Sequence, residues 1–183
     1  MPKSIKVILF YLLATALINT VAIIVGRVYH SNNLPLVHLY TLMEGLFFVF
    51  FFKQILGDIN PKYFNVVAVF FTIFCIVNAI YLQSIFAYSS HTRYLVSIIV
   101  MLCNLNYFAK IAATEEAVYN APLFYINVGA FLYFSGSFML FIFSNVMLQK
   151  MSDSSLLVFW VIHSTFVLVM HLLFSISFIL CKK

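Results

Sequence analysis

The chain has 183 residues, 64% of them hydrophobic and 8% charged, with a mean hydropathy of +1.08. Soluble domains carry about 25% charged residues, so this composition excludes an ordinary soluble domain and points to an integral membrane protein. The net charge of +5 would suggest nucleic acid as a partner in a soluble protein; here the lysines and arginines fall at the ends of apolar runs, where they set orientation, and no nucleic-acid partner is expected.

The apolar runs predict an all-α, polytopic, six-transmembrane-helix bundle forming a single membrane domain. Its helices fall at about residues 7–28, 36–56, 63–83, 94–113, 122–148 and 155–180. The first follows Lys3 and Lys6 and continues well past Ala14-Thr15-Ala16, so it reads as an uncleaved span. Asn19 shares a face with Thr15. Arg27, His30 and Ser31-Asn32-Asn33-Leu34-Pro35 turn the chain into the second helix.

That helix carries His38-Leu39-Tyr40-Thr41-Leu42-Met43-Glu44. Counted from Pro35, Glu44 lies roughly 13 Å below one surface of the hydrocarbon layer. An acid at that depth costs about 2.5–3.5 kcal/mol or more if it faces lipid. It should therefore face other helices or a wet cavity, protonated or hydrogen-bonded, with Tyr40 and Thr41 on the same side.

Lys53, Gln54 and the turn Gly57-Asp58-Ile59-Asn60-Pro61-Lys62 separate the second and third helices. The third carries Asn78, and residues 84–93 read as a polar and aromatic connector with Arg93 at the interface. The fourth holds Asn104 and Asn106 and exits at Lys110, Glu115 and Glu116. Asn120-Ala121-Pro122 opens the fifth, with Asn127, Tyr133, Ser135, Ser137 and Asn145; Gly129 and Gly136 face one way and suit a close helix approach. Ser152-Asp153-Ser154 supplies cap chemistry for the sixth, with Trp160, His163, Ser164 and His171.

Six spans put both termini on one side of the membrane. That side would collect Lys3, Lys6, Lys53, Lys62, Lys110, Lys182 and Lys183, against Arg27, Arg93 and Lys150 opposite, so both termini are expected in the cytoplasm. Glu44 and His163 then lie at similar depth, with Asn19, Asn78 and Asn104 in or near the same slab. The expected site is an outward-facing polar pocket in which Glu44 bonds a subset of Tyr40, Asn19, Asn78 and His163. The competing expectation is helix glue, at about 0.6 kcal/mol per bond.

The sequence lacks the usual marks of membrane enzymes and metalloproteins. His163 and His171 lie on one helix and cannot ligate the same haem iron, and His38 belongs at a different depth. Glu44 and His163 lack further metal ligands, and the three cysteines, Cys75, Cys103 and Cys181, have no metal spacing. No lysine sits mid-helix for a Schiff base. Ser135-Gly136-Ser137 matches only the tail of a rhomboid-type motif. No catalytic set, metal or cofactor is expected. The run Phe47-Phe48-Val49-Phe50-Phe51-Phe52 points in every direction and suits packing and lipid contact. Tyr63, Tyr88, Tyr94, Tyr119 and Trp160 suit an aromatic belt.

Three stretches carry a loose resemblance: Asn32 through Glu44, Pro122 through Gly129 with Tyr133-Phe134-Ser135-Gly136, and the sixth helix with Trp160 and His163. They resemble a group of small multi-spanning bacterial membrane proteins. The resemblance implies a helical bundle in the bacterial inner membrane and lends no activity. The expected function is a non-enzymatic sensory or accessory component, working through a membrane protein partner or as a homo-oligomer. The alternatives are a proton- or cation-coupled transporter or channel component, and a lipid-modifying enzyme using Glu44 and His163.

Overall fold

Six apolar segments become six long helices in a computed structural model, which describes residues 2–113 and 121–181. They are α1 (Lys3–Arg27), α2 (Leu34–Ile55), α3 (Pro61–Val77), α4 (Ser90–Ala112), α5 (Pro122–Lys150) and α6 (Asp153–Leu180). A π-helical turn, Asn78–Leu82, extends α3. All six are long and apolar enough to cross a bilayer, and no strand occurs among the described residues. The chain is thus a multi-pass membrane protein. Glu115, Glu116, Tyr119, Asn120, Lys182 and Lys183, used above for helix exits, the aromatic belt and orientation, lie outside the described residues.

Local chemistry explains several starts. Asn32 Oδ1 accepts the Leu34 amide at 2.9 Å and Pro35 sits in the first turn of α2, where its missing N–H is not needed. Asn60 Oδ1 does the same for Lys62 at 3.0 Å, with Pro61 opening α3. Between α1 and α2 the chain reverses at His30, whose φ of 49° is left-handed.

The chain groups into two compact units, Pro2–Val96 and the residues from Ser97 onward, with the division inside α4. In the first, α2 packs on α1 and α3 around Ile5, Ile8, Tyr11, Phe48, Phe51, Phe52 and Phe71. Phe50, on the opposite side of α2, is 45% exposed, as a phenylalanine run that encircles its helix requires. Gly45 is the contact point between α2 and α3: a Cβ there would overlap the Phe71 ring. In the second unit α5 packs on α6 around Ile126, Ala130, Tyr133, Phe134, Phe141 and Phe174. Gly129 and Gly136 both face α6. A Cβ at Gly129 would lie 3.2 Å from the Met170 carbonyl oxygen, and one at Gly136 would overlap the Phe166 ring.

One boundary differs from the sequence expectation in a way that matters. The fourth helix begins at Ser90, not near residue 94, so His91, Thr92 and Arg93 form its first turn. Residues 83–89 are not a surface connector throughout: Tyr88 and Ser89 are buried, and Ser89 Oγ donates to Thr41 Oγ1 at 3.3 Å. Thr41 lies roughly 10 Å along α2 from Leu34 by helix rise. The start of α4 is therefore sunk beside the middle of α2.

Irregular backbone at that depth needs internal partners. His38 Nε2 bonds the Ala87 carbonyl oxygen at 3.0 Å, Asn32 Nδ2 donates to Phe86 O at 3.4 Å, and Ser84 Oγ accepts the Phe86 amide at 3.2 Å. Gln83 Nε2 donates to Ser90 Oγ at 2.9 Å. His38→Ala should release Ala87 and shift the opening equilibrium of this connector by about fivefold, the value of a bond worth about 1 kcal/mol. Faster maleimide labelling of a cysteine placed at half-buried Ala87 would report it; unchanged labelling would remove His38 from this role.

Candidate functional site

Glu44 sits on α2 with 1% of its surface exposed. Tyr11, two turns into α1, donates its hydroxyl to Glu44 Oε1 at 2.9 Å. Tyr40, one turn before Glu44, donates to the same oxygen at 2.8 Å, and the two phenol oxygens lie 3.3 Å apart. Arg93, in the first turn of α4, donates from Nη1 to Oε2 at 3.3 Å. Its guanidinium carbon also lies 4.8 Å from the centre of the Tyr40 ring, a cation–π distance. Tyr40 thus touches both charges, the anion through its hydroxyl and the cation through its face.

The donor set suits a carboxylate. A guanidinium is always charged, so its burial calls for an anion beside it. Both carboxylate oxygens are occupied by groups of the protein itself, contributed by α1, α2 and α4. Beside this cluster, Thr41 Oγ1 bonds back to Val37 O at 2.8 Å and accepts from Ser89, which pairs with Thr92 Oγ1 at 2.6 Å. The ion pair and the sunken start of α4 are therefore one polar seam along α2.

The other expected members are placed as follows. Asn78 is fully buried in the π turn, where its Oδ1 faces His91 Nδ1 at 2.9 Å and its Nδ2 donates to Gln83 Oε1 at 3.4 Å. It fastens the end of α3 to the start of α4 and is not bonded to Glu44. Asn19 is exposed on α1.

His163, Asn104, Gly129 and Gly136 belong to the second unit. His163 Nδ1 lies 3.3 Å from the hydroxyl of buried Ser137. Its ring is enclosed by Tyr133, Phe141 and Trp160, with centroids 5.5–5.9 Å away. Asn104 is buried and turns its Nδ2 to Val100 O at 3.0 Å, leaving Oδ1 unpartnered, and Asn127 repeats the arrangement with Leu123 O at 2.7 Å. His171 Nδ1 bonds Val167 O on its own helix at 2.7 Å. No group of three or more metal-ligating side chains occurs among the described residues.

Sequence reasoning missed Tyr11 and misassigned Arg93. A buried acid calls for a donor at its own depth. Tyr11, counted from the Lys3 end of α1, converges with Glu44, counted from the Leu34 end of α2, because the two helices run in opposite directions. Arg93 was hidden by the polar run Ser89–Arg93, which has loop composition and helical structure. Comparison of the chain with protein-family models, with curated proteins and with solved structures finds no match.

Proposed function

We propose that this chain is a non-enzymatic component of a bacterial inner membrane, sensory or accessory in kind, with both termini in the cytoplasm. In this reading the Glu44–Arg93 pair is the internal latch that holds α1, α2 and the start of α4 in one arrangement. The observation that carries it is the occupancy of Glu44: both oxygens bond the protein's own donors, and the carboxylate is nearly inaccessible. A general acid or base needs the reacting group within hydrogen-bond reach, and this carboxylate is buried with two donors on Oε1 and one on Oε2, all from the protein itself. A buried ion pair adds little net stability over an apolar replacement, but losing one member is costly, which suits an element with two distinct states. Output then passes through a membrane protein partner or a second copy.

The transport reading draws on the hydroxyl chain from Tyr11 to Tyr40 to Glu44, which could relay a proton. The lipid-modifying reading pairs Glu44 with His163; the bonds described for each lie within its own unit and lend that pairing no support. Reconstituted vesicles separate the readings. The protein should dissipate a proton gradient no faster than empty vesicles, and it should leave a lipid extract unchanged. Proton flux, or lipid turnover, that disappears in Glu44→Gln would replace the proposal with the corresponding alternative.

A further inference from the structure

A second feature of the first unit shares no residue with the ion pair, although Phe47 in its wall packs on Tyr11 with ring centroids 6.1 Å apart, and it is independent of the reading above. A groove of about 590 Å³ runs along the seam of α1 and α2, lined by Val7, Phe10, Leu13, Ala14, Leu17, Phe47, Phe50 and Gln54. The α1 residues recur at helical spacing and form one stripe. Extended one turn back toward the start of α1, that stripe reaches Lys3 and Lys6, both exposed. Gln54 marks the same end on α2, next to Lys53, whose ammonium donates to Asn65 Oδ1 at 2.8 Å. Asp58 lies in the α2–α3 turn and Lys62 just after it, so four lysines and one aspartate occupy this end of the unit.

We propose that this groove is a binding site for an anionic phospholipid, with one acyl chain along the α1–α2 seam and the phosphate headgroup among Lys3, Lys6 and Lys53. The groove alone would be an unremarkable lipid contact, because acyl chains gain no hydrophobic free energy by leaving other chains for leucine and phenylalanine. Shape therefore holds the chain, and charge chooses the headgroup. Lysines beside an anionic headgroup strengthen association by about fivefold each. Gln54, exposed at the mouth, adds a neutral donor at the level where the phosphate oxygens would lie. The apolar stripe and the lysines are continuous on one helix face, so a single molecule can satisfy both.

Native mass spectrometry of the purified full chain, offered equal phosphatidylglycerol and phosphatidylcholine with identical acyl chains, tests this. Phosphatidylglycerol should be retained about 25-fold more, the product of about fivefold from each of Lys3 and Lys6, and soluble glycerol phosphate should not compete. Lys3→Gln with Lys6→Gln should bring the two lipids close to parity. Ala14→Phe should fill the groove and abolish the preference; if that variant fails to fold, Gln54→Glu, at an exposed position, should reduce phosphatidylglycerol retention at least fivefold. Equal retention of both lipids by the unaltered protein overturns the proposal. Retention by folded Ala14→Phe or Gln54→Glu at the unaltered level overturns it too, since the lysines would then act only as dispersed surface charge. Competition by glycerol phosphate reassigns the site to free phosphate. None of these results depends on whether Glu44 is a latch.

Discussion

Arg93→Met should lower the unfolding temperature in detergent by roughly 6–20 °C. Removing one member of a buried ion pair costs about 3–5 kcal/mol, and each kcal/mol moves the midpoint of a chain this long by about 2–4 °C. The substitution leaves Glu44 buried with only two phenol donors, and it removes the cation from the face of Tyr40. Glu44→Gln should be damaging for the complementary reason, leaving a buried guanidinium without its anion. The double variant Glu44→Gln with Arg93→Met should recover at least half of the loss. Its amide oxygen still accepts from Tyr11 and Tyr40, and no uncompensated charge remains. Strictly additive single effects would show that the two residues do not stabilise one another.

Gly45→Leu should destabilise the first unit by about 1–3 kcal/mol, as overpacking of a filled core does. Phe71 is fully buried, so its ring cannot swing away from the added side chain. Phe71→Ala in the same chain should restore most of the loss, read as the unfolding midpoint in increasing denaturing detergent; no recovery would place the strain elsewhere. Gly136→Ala makes the same overlap with Phe166 in the second unit, but Phe166 is only half-buried and can yield, so its effect should be smaller. Helix pairs in a bilayer have no hydrophobic drive toward one another and rely on close contact, which is why one methyl group can matter at such positions.

The fold class was legible because apolar runs long enough to cross a bilayer leave few alternatives. The burial of Glu44 and its closeness to Tyr40 were legible for a related reason: one is a solvation cost, the other is helical spacing. The remaining members of its cluster depend on how separate helices meet, which periodicity within one helix does not encode. Arg93 shows the difficulty most clearly. Its neighbours Ser89, Ser90, His91 and Thr92 have turn composition, yet tertiary bonds from Thr41 and Asn78 carry them into and beside a helix. Gly45 was passed over because a lone glycine has no spacing to notice; only the opposing Phe71 gives it meaning.

The segment from Asn32 to Glu44 binds its surroundings at Ala22, Phe86, Ala87, Ser89, Tyr11 and Arg93. One residue inserted in its helical part would rotate everything on one side of the insertion by about 100° against the other. Tyr40 and Glu44 would then point away from any partner matched to His38 unless a π turn, such as the one at Asn78–Leu82, took up the extra residue between them. The phase of this segment must be kept as well as its side chains, while exposed positions of α1 outside the groove, such as Ile23 and Ile24, need only stay oily.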